Sequence, residues 1–445
     1  MGARGPLARN LLDEDRQGVG CAMQKHDEVF AKVARRLIPL MVALYTVSFL
    51  DRVNVSFAAL TMNQDLKFTP EIFGWGASIF FLGYFLFEVP SNVILTRVGA
   101  RRWICRIMAT WGVISAANAF VAGPTSFYVL RFLLGLAEAG FAPGMIFYLA
   151  LWFPSSLRAR YAASYFIAIP LTNVIGGPLS SLILQLDGVL GLHGWQLLFL
   201  IEALPALLLA VAVFFFLPDG PEDAHWLSTS ERATIASVLA AERGQSGEQL
   251  HGLWGALADP RVVLLSAVYF AIVVGLYGIT FWLPQIVQSM GYSTGATGFV
   301  VAVPYAAAAI AMIAWGRHSD RSGERVWHVA LACLLGALGF ALSAALESPA
   351  LELVALGLVA VAVCSTLAPF WAMPPLFLGG TAAAGGIALI NAVGNLGGFI
   401  GPYAVGWALQ ETGGYAGGMA ILAASMAIGA ALVLAMGRFR RFAFA

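Results

Sequence analysis

The stretch GRHSDRSGER (Gly316–Arg325) is a short basic segment between two apolar runs of the chain. An earlier segment, NVILTRVGARR (Asn92–Arg102), has a similar composition and also separates two apolar runs. When Asp320 is aligned with Thr96, the offset is 224 residues, and the glycine three positions later aligns as well. The two segments are therefore candidate copies of one loop.

A second, unrelated pair of segments has the same spacing. NVIGGP ends at Pro178 and NLGGFIGP ends at Pro402, which are again 224 residues apart. Two features that share one offset indicate an internal duplication. Parallel halves of this kind are typical of transporters that bind their substrate where the halves meet.

The composition is that of a membrane protein. Of the 445 residues, 60% are hydrophobic and 11% are charged, whereas soluble proteins carry about 25% charged residues. The mean hydropathy is +0.81, so we expect a lipid bilayer as the surroundings. The net charge of +1 gives no reason to expect a nucleic-acid partner, and the four cysteines lack the spacing of a metal site or a disulfide framework.

Twelve apolar runs are long enough to cross a bilayer, which requires about 20 mainly apolar residues per helix. They cover residues 36–60, 72–96, 103–122, 126–150, 161–186, 195–217, 262–289, 297–316, 327–346, 351–377, 382–409 and 416–437. The longest polar gap separates the sixth run from the seventh. The sequence thus predicts an all-α membrane protein with twelve transmembrane helices in two six-helix halves.

Lysine and arginine residues predict the orientation, because they accumulate in cytoplasmic loops. With the N-terminus in the cytoplasm, the inner segments carry the loop arginines and the outer loops hold only Lys67. Both termini are therefore predicted to be cytoplasmic. The predicted division is a cytoplasmic N-terminal tail (1–33), an N-terminal bundle (34–217), a cytoplasmic central loop (218–260), a C-terminal bundle (261–438) and a cytoplasmic C-terminal tail (439–445).

Several ionisable residues lie well inside the predicted spans, and all of them belong to the N-terminal half. They are Asp51, Arg52, Glu88, Arg131, Glu138 and Glu202. A charge at the centre of an inserted helix costs about 2.5–3.5 kcal/mol, so each residue needs a partner or a function. A binding site in one half, closed over by the other half, explains this one-sided distribution.

Helical geometry separates the two adjacent charges of span one. Arg52 shares a polar stripe with Tyr45, Ser48 and Ser56, whereas Asp51 lies about 100° away around the helix. The two side chains should therefore not simply pair with each other. Each is expected to face a different neighbour.

In span four, Arg131 and Glu138 are seven residues apart and therefore lie on one face of a helix. Charges that face the interior of a membrane protein mark paths for ions or substrates. We expect Arg52, Arg131 and Glu138 to have this function. For Glu88 and Glu202, hydrogen bonding between helices is the simpler interpretation.

The later basic stretch also matches G-x-x-x-D-R-x-G-x-R, and here the chain resembles the major facilitator superfamily. In the earlier copy, Asn92 replaces the leading glycine and Thr96 replaces the aspartate. These loops are interpreted as latches for helix ends during the movement of the two halves. The matching residues are Gly99, Arg101, Arg102, Gly316, Asp320, Arg321, Gly323 and Arg325.

Five further features resemble the anion:cation symporter branch of that superfamily, which includes sugar-acid, tartrate, phthalate and hydroxyphenylacetate permeases. They are LDRVNVSFA in span one, Tyr84 in span two, RFLLGLAEAG in span four, FWAMPPLF in span ten and INAVGNLGGFIGP in span eleven. The resemblance covers residues 33–438 and implies the major facilitator fold.

The same resemblance implies roles for individual residues. Arg52 and Arg131 would bind the substrate carboxylate, and Asp51 and Glu138 would bind protons. Further implied substrate contacts are Tyr84, Trp371 and Asn391. Phe49 stands where some sugar-acid carriers have a tyrosine.

The expected function is proton-coupled uptake of an organic carboxylate by a monomer in the bacterial cytoplasmic membrane, driven by the proton gradient without a cofactor or metal. An uncoupled facilitator, an exchanger or an exporter remains as an alternative. A membrane-embedded enzyme is disfavoured, because the six histidines fall in loops, tails or span ends and form no metal-binding motif. A receptor would usually carry an added soluble domain.

Overall fold

The computed structural model describes residues 6–154, 157, 166–245, 259–378 and 380–438, and the regular structure in this part of the chain is helical. Short 3-10 turns connect some of the α-helices. The α-helices are α1 Pro6–Asp65, α2 Pro70–Val98, α3 Ala100–Ala117, α4 Pro124–Glu138, α5 Phe141–Trp152, α6 Ala168–Leu184, α7 Gly194–Phe216, α8 Thr229–Gln245, α9 Pro260–Ser289, α10 Thr294–Ser322, α11 Val326–Ala345, α12 Pro349–Trp371, α13 Gly380–Asn395, α14 Gly397–Thr412 and α15 Ala416–Arg438.

Several helices begin at residues that favour a helix start. Proline occupies the first turn of α2, α4, α9 and α12, where its missing amide hydrogen is not needed. The side chains of Thr69, Asp259 and Ser293 accept hydrogen bonds from first-turn amides of α2, α9 and α10. Local sequence thus sets where these spans begin.

Ten helices in the described part are long and apolar enough to cross a membrane, and they correspond to ten of the predicted spans. The other two predicted spans are α3, which has 18 residues and three arginines, and α6, an apolar helix of 17 residues. Large apolar side chains such as Leu208, Phe216 and Ile310 are exposed on the outside of the bundle. The protein is a multi-pass membrane protein with the predicted twelve-helix architecture.

The helices on each side of the central loop pack mainly with one another. In the first group, α1 packs against α6 and α7, and α3 packs against α4 and α7. In the second group, α9 packs against α14 and α15, and α11 packs against α12 and α15. Three pairs join the groups, namely α2 with α14, α6 with α10, and α1 with α9.

Glycines bring the two groups into close contact near the outer ends of their helices. A Cβ atom added at Gly74 of α2 would lie 2.9 Å from the carbonyl oxygen of Pro402 in α14. A Cβ atom added at Gly298 of α10 would overlap the carbonyl oxygen of Gly177 in α6. Gly74 and Gly298 are 224 residues apart, so duplicated positions make the two contacts. We name these contacts the outer closure.

Three boundaries differ from the prediction or lie outside the described residues. Helix α1 begins at Pro6, inside the predicted tail. The central loop contains α8, while residues 246–258 lie outside the described part, as do the tail 439–445 and most of residues 155–165 at the predicted start of span five. The exact domain limits therefore stay a prediction.

Candidate functional site

Arg52 links the two halves at the centre of the molecule. Its Nη1 atom donates a hydrogen bond to the hydroxyl of Tyr277 in α9 at 2.7 Å, and its Nη2 atom donates to the Glu138 carboxylate. Ser48, one turn earlier in α1, donates to the same carboxylate oxygen at 2.8 Å. Arg52 is only 4% exposed, so this ion pair is shielded from water.

Glu138 is the last residue of α4, at a break in the fourth span. Gly140 has a φ of +85°, in the left-handed region, and α5 begins at Phe141. A Cβ atom at Gly140 would collide with the Ser91 hydroxyl, so only glycine fits there. The predicted continuous span 126–150 is therefore wrong, since the chain forms two helices. Broken helices near the bilayer middle are typical of transporter binding sites.

Arg131 has a guanidinium group with two unused donors. Its Nε atom donates to the Gly76 carbonyl at 3.4 Å. Its Nη1 and Nη2 atoms are buried and have no hydrogen-bond partner in the described part of the chain. Its Cζ atom lies 5.2 Å from the ring centroid of Phe80, and the Arg52 Cζ atom lies at the same distance from that ring. The two cations thus share one aromatic neighbour.

Asp51 points away from Arg52, into the N-terminal half. Its two carboxylate oxygens accept hydrogen bonds from Trp111 Nε1 at 2.9 Å and from the Ser115 hydroxyl at 2.7 Å, both in α3. Glu202 of α7 is a neighbour on the same side of α1 and accepts a 2.6 Å hydrogen bond from Ser180 of α6. The structure therefore places Asp51 beside, and not within, the cluster of Arg52 and Glu138.

Glu88 connects the halves at a second point. Its Oε1 atom accepts a hydrogen bond of 2.6 Å from Asn391 in α13, and Glu88 is 2% exposed. The interpretation of Glu88 as an interhelical hydrogen-bonding residue agrees with this contact. Asn391, expected to contact the substrate, is held by Glu88 in this conformation.

The other implied substrate contacts lie on both sides of the interface. Tyr84 is buried, and its ring centroid lies 5.2 Å from the Arg52 Cζ atom. Trp371 ends α12, where its ring stacks on that of Phe166 at 6.0 Å. The structure thus brings Tyr84, Arg52, Arg131 and Glu138 together and places Trp371 nearer the cytoplasmic end.

The earlier basic loop obtains its carboxylate from a distant residue. Gly99 has a φ of +95°, and the backbone amide of Arg101 donates to Asp219 at 2.8 Å. The Arg101 side chain lies 3.6 Å from the same carboxylate. Asp219 follows α7 and so serves the loop in which Thr96 replaces the motif aspartate. Arg102 lies next to this contact in the first turn of α3.

The later basic loop is stabilised by its own residues. Arg325 forms an ion pair with Asp320 at 2.8 Å and donates to the Ser319 hydroxyl at 2.7 Å. Gly323 ends α10 with a φ of +68°, while Gly316 packs near α12 and Arg321 is exposed. Partial burial would raise the pKa of Glu324, but hydrogen bonds from Trp327 and His328 lower it below its usual value.

Sequence reasoning did not identify Tyr277 as a site residue. It lies in the apolar span α9, where one tyrosine among aliphatic residues resembles ordinary packing. The Tyr277 ring stacks on Phe49 at 6.2 Å. The hydroxyl that is missing at position 49 is therefore supplied from the opposite half.

Residues 41–402 match the Major Facilitator Superfamily. A protein of Agrobacterium vitis with a provisional name as a tartrate transporter is 51% identical over 410 residues, which cover 92% of this chain and 91% of that protein. A quinolone resistance transporter of Acinetobacter baumannii is 41% identical over 409 residues, covering 92% and 94% of the two chains. A solved structure of an Escherichia coli xylose transporter, partially occluded and inward-open, has a TM-score of 0.67 at 15% identity and covers 91% of this chain and 98% of its own.

The structural likeness supports the fold, and the sequence match extends over most of the chain. The predicted transporter, as opposed to an enzyme, and the predicted major facilitator fold are confirmed. The protein is thus a transporter that belongs to the Major Facilitator Superfamily, within its branch of organic-acid permeases.

Proposed function

We propose that the protein takes up an organic carboxylate together with protons by alternating access, and that tartrate is the first substrate to test. The observation that supports this most is the Arg131 guanidinium, whose two Nη atoms are buried without a partner in the described part of the chain. A planar guanidinium fork binds a carboxylate through two parallel hydrogen bonds. The name of the Agrobacterium vitis relative supports the choice of substrate.

The charges of the site favour an anion. Arg52 and Arg131 contribute two positive charges, whereas Glu138 is the carboxylate in direct contact with Arg52. The anion would bind between the two guanidinium groups, with Tyr84, Trp371 and Asn391 as further contacts. Because Asn391 is held by Glu88, its contact with the substrate requires that this hydrogen bond open during the cycle.

Protons would bind at Asp51 and Glu138. Burial favours the neutral form of an acid, whereas a nearby arginine favours the carboxylate. Protonation of Glu138 would release Arg52 for the anion, so that proton and anion each increase the affinity for the other. The proton gradient across the bacterial cytoplasmic membrane would then drive uptake by a single subunit without a cofactor.

The two basic loops would control the cytoplasmic ends of the helices. The Asp219 contact with Arg101 and the Asp320 contact with Arg325 tie these loops to neighbouring elements. Movement of one six-helix half against the other, divided at the central loop, would break and remake such contacts in each cycle. This role includes Gly99, Arg102, Gly316, Arg321 and Gly323.

The function is tested with purified protein in proteoliposomes under an imposed proton gradient. The wild type should accumulate tartrate against its gradient while protons enter, as reported by a trapped pH dye. Glu138→Gln should retain exchange of tartrate across the membrane and lose proton-driven accumulation, because the amide cannot titrate. Uphill uptake by Glu138→Gln would refute the role of Glu138, and a wild type without proton entry for any carboxylate in a mono- and dicarboxylate panel would refute symport.

An exporter is the second candidate, because the Acinetobacter baumannii relative is named for quinolone resistance. Export coupled to protons would require that an outward proton flow accompany substrate loading from the opposite side. The same proteoliposomes distinguish the two directions. Net extrusion of substrate from the compartment facing the basic loops, driven by proton entry into it, would favour the exporter.

A further inference from the structure

Two buried carboxyl groups face the same space behind the first span, on the side of α1 opposite the Arg52–Glu138 pair. Asp51 and Glu202 are each 1% exposed. The groups facing them are Trp111 and Ser115 from α3 for Asp51, and Ser180 from α6 for Glu202. All three donors are neutral.

Positive charge is absent from the immediate contacts of this pair. Among the described residues, no lysine, arginine or histidine forms an ion pair with Asp51 or Glu202. The neighbouring Arg52 is directed to Glu138 and Tyr277. Two ionised carboxylates in an apolar interior without a cation carry a large desolvation cost and repel each other. The pair must therefore hold a proton in this conformation.

Hydrogen bonding indicates which carboxyl group carries that proton. Both oxygens of Asp51 accept a hydrogen bond, as a carboxylate prefers. Only Oε1 of Glu202 accepts one, and its buried Oε2 atom has no partner in the described part of the chain. Asn54 lies next to Glu202, and its amide atoms are also unpartnered among the described residues. The proton thus belongs on Glu202.

The residue that follows Ser180 forms part of the outer closure. Ser181 accepts a 2.8 Å hydrogen bond from the backbone amide of Gly298 in α10. Ser180 and Ser181 are adjacent in α6, so one binds the buried acid and the next binds the opposite half. Separation of α6 from α10 would therefore disturb the surroundings of Glu202 directly.

We propose that Glu202 is a proton-binding residue of the transport cycle, which forms with Asp51 a site separate from Glu138 and exchanges its proton when the outer closure opens. This proposal rests on the proposed proton-coupled transport. The negative charge of Glu138 acts on Asp51, so neutralisation of Glu138 or arrival of an anion at Arg52 changes the affinity of the pair for its proton. Proton release toward the opposite side follows closure of the outer contacts.

The test compares Glu202→Gln with the wild type in proteoliposomes, with tartrate as the probe. A linked proton changes the apparent affinity by up to about tenfold per pH unit. We expect Glu202→Gln to keep tartrate exchange, to lower the number of protons that enter per tartrate, and to reduce the pH dependence of KM to less than about twofold per unit. Glu71→Gln, at an exposed position in the first turn of α2, is the matched control and should behave like the wild type.

An unchanged proton-to-tartrate ratio and an unchanged pH profile in Glu202→Gln would overturn the proposal, even if the transport rate fell. If Glu202→Gln does not reach the membrane, Glu202→Asp replaces it. The shorter acid loses the Ser180 contact but can still titrate, so the pH midpoint of KM should shift while coupling persists, and an unshifted midpoint would overturn the proposal. A wild type without proton entry would instead refute the underlying symport, which separates the two failures.

Discussion

The two halves of the protein share an ancestry but differ in the charges of their interiors. The N-terminal half holds Arg52, Arg131 and Glu138 in one cluster, with Asp51 and Glu202 behind it. The C-terminal half faces that cluster with neutral groups, namely the hydroxyl of Tyr277 and the ring of Phe281. The duplicated positions of Arg52 and Arg131 are Leu276 and Ala355.

This difference separates binding from closure. A charged half binds the anion through groups that are already buried and positioned by their neighbours. A neutral half can close over the site without removing further charges from water, a step that costs several kcal/mol for each ion, roughly. Only hydrogen bonds and aromatic contacts then change as the halves move. The comparison predicts large effects for charged residues of the first half and small effects for neutral residues of the second.

The largest effect is expected for Arg131. Hydrogen bonds to charged groups contribute about 1.5–3 kcal/mol each, so loss of two of them should weaken binding by about 100-fold or more. Arg131→Ala removes both donors, and Arg131→Lys retains the charge but removes the planar fork. Isothermal titration with tartrate measures the affinity of both variants.

The control for Arg131 is Arg97→Lys at an exposed position near the cytoplasmic end of α2. It should bind tartrate with the affinity of the wild type. Affinity unchanged in Arg131→Ala would contradict the assignment of the anion to this guanidinium. Full affinity in Arg131→Lys alone would show that charge, and not the fork, is what the site requires.

A smaller effect is expected for the outer closure, which depends on glycine in both halves. A side chain at Gly298 would overlap the Gly177 carbonyl, and over-packing costs about 1–3 kcal/mol. Gly298→Leu should therefore shift the equilibrium away from the closed outer side by about 5- to 150-fold. A disulfide between Asn63→Cys and Gln285→Cys reports closure in a cysteine-free background, since these side chains lie 3.2 Å apart.

Gly357→Leu is the matched control for Gly298→Leu, because an added Cβ atom at Gly357 meets no atom within 4 Å. It should form the Asn63→Cys to Gln285→Cys disulfide as readily as the parent protein. Equal cross-linking in Gly298→Leu and Gly357→Leu would show that the close approach of α6 and α10 does not control the outer side.

The comparison of the halves also shows what the sequence can predict. The one-sided charges, the duplication and the divergence of Asp51 from Arg52 follow from spacing and helical geometry, since these depend on positions within single helices. The break of span four at Gly140 was missed, although the glycine of the LAEAG segment and Pro143 were signals. The contacts of Asp219 with Arg101 and of Asn391 with Glu88 join residues far apart in sequence. Only packing reveals such contacts.

The smallest effect is expected for Tyr277, the neutral group that the second half contributes to Arg52. Its hydroxyl accepts the 2.7 Å hydrogen bond from Arg52, and a net hydrogen bond is worth about 0.5–1.5 kcal/mol. Tyr277→Phe should thus weaken tartrate affinity by about 2- to 10-fold and leave proton coupling intact. Tyr305→Phe is the matched control, because that buried hydroxyl pairs within its own half with Thr280 at 3.0 Å. A loss in Tyr277→Phe as large as that in Arg131→Ala would show that the second half binds the anion as well as closing over it.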